Sequence, residues 1–259
     1  MQPRFVAMLS LSAPFAGIAL IIFVVFAAGV RLGKWRRAQP DPEPQLSSRM
    51  IISGVLSLLA FVLGFAFRVG VSHFDMRNQA LRNEAIAIST AYRRADLLSE
   101  PDRTKLRDLL REYLDVRLQG PRSENINNVI ERLRRLQGEI WTVAISTKRR
   151  ENGGSLPQTV LQSVNDVIDV TGERVLANIQ ERIPTSVWAV LGGITLISVA
   201  AAGYHSGLTG ARRASFSGLA YALVFAGMIV MIADVDIPKF GYVQIYDQPL
   251  IDLRARLNP

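Results

Sequence analysis

The stretch from Met50 to Phe67 carries no charge, and it constrains the fold of this chain more than any other feature. At about 1.5 Å per residue, a helix over this stretch crosses most of a hydrocarbon core roughly 30 Å thick. The long side chain of Arg68 can reach the interface, so the helix can continue to Phe74. Polar residues follow without a break in the helical pattern. We therefore predict one helix that leaves the membrane and enters a water-facing domain.

Three further charge-free stretches complete the pattern, and strongly charged segments separate them. Soluble domains of this size scatter their apolar residues in short periodic groups, whereas this chain collects them in blocks. A cleaved signal peptide ending near Ala27-Ala28 is the alternative for the first stretch, but the basic residues directly after it favour a retained span. The sequence thus predicts an all-α membrane protein with four transmembrane helices, over about residues 9–30, 50–72, 186–206 and 214–233.

Residues 75–184 are predicted to form a helical-bundle soluble domain between spans two and three. Their apolar residues recur at steps of three or four, and no strand-like alternation is present. After the continuation of span two, we expect helices that begin near Ser99, after Ser123 and near Pro157, the last reaching Ile183.

The chain beyond the fourth span has a mixed pattern. A strand-like piece, Gly241 to Tyr246, precedes a short helix after Pro249. We therefore divide the chain into three parts. These are a transmembrane hairpin with a proline-rich cytoplasmic loop (1–74), the helical domain (75–184), and a second hairpin with the tail (185–259).

The basic residues between spans predict an orientation. The loop between spans one and two carries five basic residues against two acids. The turn between spans three and four carries Arg212 and Arg213 without an acid. The positive-inside rule places both connections in the cytoplasm. The helical domain and both termini are then predicted to lie outside the cytoplasm.

Composition excludes several kinds of site. The chain has no cysteine and two histidines, which excludes disulfides, thiolate chemistry and histidine-rich metal sites. The net charge of +8 raises nucleic acid as a partner. However, the unbalanced basic residues flank membrane spans, so we attribute the surplus to membrane anchoring and expect no nucleic acid. Without a phosphate loop or nucleotide fingerprint, we predict no cofactor and no enzymatic activity.

A few polar and small residues allow more specific hypotheses. Asp234 and Asp236 could hold a cation, but the end of a helix at the interface is the preferred interpretation, so no metal site is predicted. Gly203 and Gly207 have the spacing that permits close helix contact. Glu84 is flanked by apolar residues, and we expect it to form a structural ion-pair network with one of three arginines: Arg77, Arg93 or Arg94.

Several motifs together resemble a known family. Phe61-Val62-Leu63-Gly64-Phe65, followed by Arg77, resembles the second transmembrane helix of bestrophins. The wider pattern over residues 50–257 resembles the bacterial bestrophin-like family, which implies an integral protein of the bacterial inner (plasma) membrane. The motifs that carry this resemblance are Asn83–Ile88, Tyr92–Leu98, Glu100–Arg103, Leu109–Tyr113, Asp234–Pro238 and Gln248–Leu253.

The resemblance implies positions for a pore. Bestrophins are pentameric anion channels whose second helices form a hydrophobic neck, with neck residues four apart. By this resemblance, Phe61 and Phe65 are neck residues, and Ser57 stands where bestrophins have a large apolar residue. Arg68, one turn past Phe65, could attract anions. Bestrophins place their soluble domain in the cytoplasm, opposite to the orientation that the charge rule predicts.

Two functions follow as hypotheses. The first is a homo-oligomeric pore that passes small anions through the bilayer. The absence of Asp, Glu and Lys from all four spans argues against ion-coupled transport. The alternative for the site is that Phe61 and Phe65 face lipid or a neighbouring helix while Arg68 reaches the interface. The second hypothesis is a membrane-anchored scaffold or sensor whose helical domain binds a protein partner.

Overall fold

The fold, taken from a computed structural model, is all-α, as the sequence predicts. The structure describes residues 3–39, 45–119, 126–150, 155–179, 183–210, 214–236 and 247–257, and it has no strand within these ranges. The strand-like piece predicted at 241–246 lies outside them. A short 3₁₀ turn, Ala95–Leu97, follows α2. The helices are α1 (Pro3–Arg37), α2 (Gln45–Arg94), α3 (Asp102–Gln119), α4 (Ile126–Arg150), α5 (Ser155–Ile179), α6 (Thr185–Thr209), α7 (Ala214–Asp236) and α8 (Gln248–Leu257).

Within these described ranges, four helices, α1, α2, α6 and α7, are long and apolar enough to cross a membrane. The chain divides into two compact units. The first unit contains Met1–Phe74 and Arg182–Gln244, and the second contains Asp75–Glu181 and Ile245–Pro259. Helix α2 is continuous across the division at Phe74, where its composition changes from apolar to polar.

Backbone contact through glycine joins α1 to α6 in the first unit. A Cβ atom at Gly33 would overlap the carbonyl oxygen of Tyr204, and one at Gly207 would overlap that of Val30. A Cβ at Gly203 would lie 3.2 Å from the backbone nitrogen of Val30. The glycine spacing that predicts close helix contact therefore lies at this contact, where any side chain would separate the two backbones.

The core of the second unit combines the end of α2 with α3, α4, α5 and α8. Leu81 and Ile88 of α2 are buried with Leu110 and Tyr113 of α3 and Ile140 of α4. These positions follow the helical repeat, so each helix turns one apolar face inward.

The tail helix α8 belongs to this second core. Leu250, Leu253 and Leu257 are buried in the same cluster as the bundle helices. The sequence-based division groups the tail with the second pair of spans, whereas the structure places α8 in the second unit. Its three leucines at steps of three and four form an apolar face, which explains this placement. Conversely, Ile183 lies beyond α5 and is buried in the first unit.

Candidate functional site

One face of α2 in the first unit is exposed although it is strongly apolar. Phe61 and Phe65 are 73% and 62% exposed. Ser57 and Arg68 are exposed as well. At about 100° per residue, these four positions fall within an arc of about 80° on the helix. They therefore form a single stripe, which we call the Phe61 stripe.

The opposite face of α2 is buried. Leu59, Leu63 and Ala66 share a cluster with Leu191 of α6 and Ile232 of α7. These α2 positions lie about 180–240° around the helix from Ser57. Packing against α6 and α7 thus fixes the rotation of α2, and it directs the Phe61 stripe away from these helices.

The chemistry of the Phe61 stripe is simple. Arg68 is the single charged residue between positions 50 and 72. Two aromatic rings one turn apart present a surface that water wets poorly, and the guanidinium lies one turn further along. Such a surface can restrict the passage of ions and attract anions, but it offers no group for covalent catalysis.

The two aspartates at the end of α7 are buried. The backbone N–H of Ile183 donates to Oδ1 of Asp236 over 3.1 Å, and Nδ1 of His73 lies 3.6 Å from the same oxygen. The carboxylate of Asp236, at the end of α7, thus binds the backbone just before α6 and lies close to His73 in the middle of α2. Among the described residues, no group of three or more acidic or histidine side chains could hold a metal.

Glu84 lies in the second unit, beyond the apolar part of α2, and it is fully buried. Its Oε1 lies 2.9 Å from Nε of Arg117 on α3, and the hydroxyl of Tyr113 is 3.5 Å away. The structure describes each of the three arginines expected near Glu84. Arg94 donates to the carbonyl oxygen of Thr159 over 3.3 Å, Arg93 is exposed, and Arg77 is buried.

Arg117 is a partner that the sequence hypothesis missed. It lies one turn after Tyr113, on the apolar face of α3, and this position is the signal that could have identified it. Burial raises the pKa of Glu84 above its ordinary value, against the opposing effects of Arg117 and Tyr113. Burial and the nearby Glu84 raise the pKa of Tyr113 to about 12, so its hydroxyl stays neutral at physiological pH.

Asp102, at the start of α3, forms a second polar cluster. Thr147 of α4 donates to its Oδ2 over 2.7 Å, and Arg150 pairs with the same oxygen. Burial alone would raise the pKa of Asp102, but the hydrogen bonds from Thr147 and Arg150 outweigh it and lower the pKa. This cluster joins α3 to α4 and gives a structural role to the motif Glu100–Arg103.

These features are those of a helical integral membrane protein. It has an exposed apolar stripe on one span and a helix bundle whose helices are joined by ion pairs. The sequence matches the Bestrophin-like domain family over residues 10–250, and the chain belongs to this family.

Solved structures share the fold. A bacterial bestrophin homologue from Klebsiella pneumoniae with a Leu-to-Thr substitution is 13% identical, with a TM-score of 0.70 over 94% of this chain and 97% of that one. A Trp-to-Ala variant of that homologue is 14% identical, with a TM-score of 0.71 and 95% of each chain covered. No protein of curated function matches the sequence.

Proposed function

We propose that this protein is a homo-oligomeric pore for small anions, lined by the Phe61 stripe of α2. The observation that carries the proposal is the exposure of Phe61 and Phe65, 73% and 62%, on a helix whose opposite face is buried. Several copies of the stripe around an axis would form apolar rings, which gate ion passage by dewetting.

The charge of the Phe61 stripe favours the passage of anions over that of cations. Arg68 lies one turn beyond Phe65, and no acidic residue occurs between positions 50 and 74. Repeated in each subunit, Arg68 would form a ring of positive charge near one mouth of the neck. Membership of the Bestrophin-like domain family agrees with this function, because bestrophins conduct anions through a pore that their second helices line.

Exposure to lipid is the competing explanation, and α7 offers a matched control. Phe216 on α7 is 72% exposed, so it resembles Phe61 in residue type and exposure but lies outside the Phe61 stripe. If Phe61 faced lipid, its replacement would affect the protein as replacement of Phe216 does.

Anion flux from sealed liposomes tests the proposal. The purified wild-type protein is expected to release chloride, and Phe61→Ala and Phe65→Ala are expected to change the rate because they widen the apolar constriction. Phe216→Ala is expected to leave the rate unchanged. Liposomes that stay sealed with the wild-type protein, or equal effects of Phe61→Ala and Phe216→Ala, would overturn the proposed pore.

The oligomeric state gives an independent test. A pore between subunits requires several copies, and native mass spectrometry in detergent measures their number. A monomer or dimer would favour the membrane-anchored scaffold or sensor, whose helical domain binds a protein partner. Capture of that partner would then depend on residues 99–183.

We place the helical domain and both termini outside the cytoplasm of a bacterial plasma membrane, following the positive-inside rule. Reporter fusions at Pro259 and within residues 152–155 test this orientation. Periplasmic activity of both fusions supports it, and cytoplasmic activity supports the orientation of bestrophins.

A further inference from the structure

A groove on the surface of the second unit brings three arginines together. It has a volume of about 350 Å³ and is lined by the C-terminal part of α2 and by α8. Arg82 and Arg93 come from α2, and Arg256 comes from α8. A cavity of this size suits a small-molecule ligand.

Helix periodicity explains why these arginines meet. Arg82, Ser89 and Arg93 are separated by seven and four residues, so they share one face of α2. Leu253 of α8 is buried in the bundle core, which holds α8 in place and fixes the position of Arg256, three residues further along the same helix. The groove is therefore built on two helices rather than on loops.

The charges of the three arginines are not paired within the part of the chain that the structure describes. Within the described ranges, Arg82, Arg93 and Arg256 form no hydrogen bond or ion pair with another residue. Other arginines of the unit do, such as Arg107 with Asp96 and Arg254 with Asp115. Like charges around one groove repel one another, and a bound anion would relieve that repulsion.

The other residues that line the groove determine which anions it can select. Asp252 is the single acid among them, and its Oδ1 already accepts a hydrogen bond from Gln248 over 2.7 Å. The groove thus has a net charge of +2, from three arginines and one aspartate. Ser89 offers a hydroxyl donor, and the exposed Ile86 provides an apolar wall.

We propose that this groove binds an organic phosphate. The planar guanidinium group matches the spacing of phosphate oxygens and binds two of them at once. The phosphate group would lie among Arg82, Arg93 and Arg256, with its organic body against Ile86. Such a phosphate belongs to a soluble metabolite or to a lipid headgroup, and this site is independent of the proposed pore.

Calorimetric titration of phenyl phosphate into the full-length protein in dodecyl maltoside tests the site. The wild type is expected to bind, and Arg93→Gln is expected to lower the affinity about tenfold or more, because a hydrogen-bonded charge is lost. Arg134→Gln, at an exposed arginine of α4 outside the groove, is expected to leave the affinity unchanged.

Asp252→Asn is a variant with the opposite expected effect on affinity. It removes the negative charge from the groove and is expected to raise the affinity for phenyl phosphate several-fold. It also keeps the test decisive if Arg93→Gln fails to fold. No binding by the wild type, equal effects of Arg93→Gln and Arg134→Gln, or weaker binding by Asp252→Asn would overturn the proposal.

Added phosphatidylglycerol separates the two sources of phosphate. If a lipid headgroup occupies the groove, this lipid competes with phenyl phosphate in the wild type. If the ligand is a soluble metabolite, the affinity for phenyl phosphate stays the same when the lipid is added. Either result supports a phosphate site and identifies where its ligand comes from.

Discussion

The carboxylate of Glu84 lies 2.9 Å from Nε of Arg117, and this ion pair connects α2 to α3 inside the second unit. Glu84 is fully buried, and the side chain of Arg117 is mostly buried. Removing a carboxylate from water costs several kcal/mol, which only a close cation with good geometry offsets. The raised pKa of Glu84 shows that burial prevails over that compensation.

Loss of Arg117 is expected to destabilise the protein. Arg117→Met leaves the carboxylate of Glu84 buried without this cation, and we expect a cost of about 3 kcal/mol at neutral pH. Thermal unfolding in detergent, followed by circular dichroism, measures it. Arg149→Met, at an exposed arginine of α4, is the matched control. The double variant Glu84→Gln/Arg117→Met is expected to recover most of the loss, and a double variant no better than Arg117→Met would contradict this explanation.

The raised pKa of Glu84 predicts a pH dependence of stability. In the folded state this carboxyl group binds a proton at pH values where the unfolded chain has lost it. The stability of the wild type relative to Glu84→Gln is therefore expected to fall as the pH rises from 4.5 to the pKa of the folded state, and then to level off. Unfolding of both proteins across this pH range measures the difference. A rise with pH would show that the folded pKa is lowered instead.

Asp102 is expected to behave in the opposite way. Its folded pKa is lowered, so its ion pair and hydrogen bonds stabilise the fold above its unfolded pKa of 3.8. This contribution is lost as the pH falls through the folded pKa. The stability of the wild type relative to Asp102→Asn is therefore expected to shrink as the pH falls below 3.8. A constant difference would contradict the ion pair with Arg150.

Thr147→Val removes the hydrogen bond to Asp102 and keeps its ion pair with Arg150, and it also removes the contact of the same hydroxyl with the carbonyl oxygen of Val143, at 2.9 Å. The substitution keeps the shape of the side chain and removes the hydroxyl that lies 2.7 Å from Oδ2. We expect a loss of about 1 kcal/mol at neutral pH, measured by thermal unfolding. Thr142→Val, at an exposed threonine of the same helix, is the control. Equal effects of the two substitutions would show that the bond contributes nothing to stability.

The four candidate spans and the all-α fold could be predicted from sequence because the thickness of a bilayer fixes the length of an apolar helix. The rotation of α2 could not be predicted. Every face of a span is apolar, so a face toward lipid, a pore or a neighbouring helix has the same composition. The packing of Leu59 and Leu63 against α6 and α7 distinguishes the faces.

The partners of buried polar residues could not be predicted from sequence, because they depend on contacts between helices. Arg117 lies 33 residues from Glu84, and a sequence pattern identifies only partners within a few turns of one helix. The sequence-based division groups the tail helix by its position in the chain, whereas the apolar face of Leu250, Leu253 and Leu257 places it in the core of the second unit. To predict the partner of a buried charge or the position of an amphipathic tail, one must know which helix faces are in contact.

Close packing of α1 and α6 predicts a large effect of one methyl group. Gly207→Ala would place a Cβ against the backbone of Val30 and Gly33, which cannot rotate away as a side chain can. We expect a destabilisation of about 1–3 kcal/mol, measured by thermal unfolding in detergent. At Gly192 on the same helix, a Cβ meets no atom within 4 Å, so Gly192→Ala is the control. Equal stability of the two variants would show that the backbones separate at little cost.

A substitution at Ser57 is expected to lengthen the apolar constriction of the proposed pore. It lies one turn before Phe61 on the same stripe, where a hydroxyl lets water remain. Ser57→Leu would add a third apolar ring to those of Phe61 and Phe65, and a longer dry segment raises the barrier to ions. Chloride flux from liposomes is therefore expected to fall. Ser186→Leu, at an exposed serine near the start of α6, adds the same side chain outside the stripe and is expected to leave the flux unchanged. If both variants conduct like the wild type, Ser57 does not line the path of the ion.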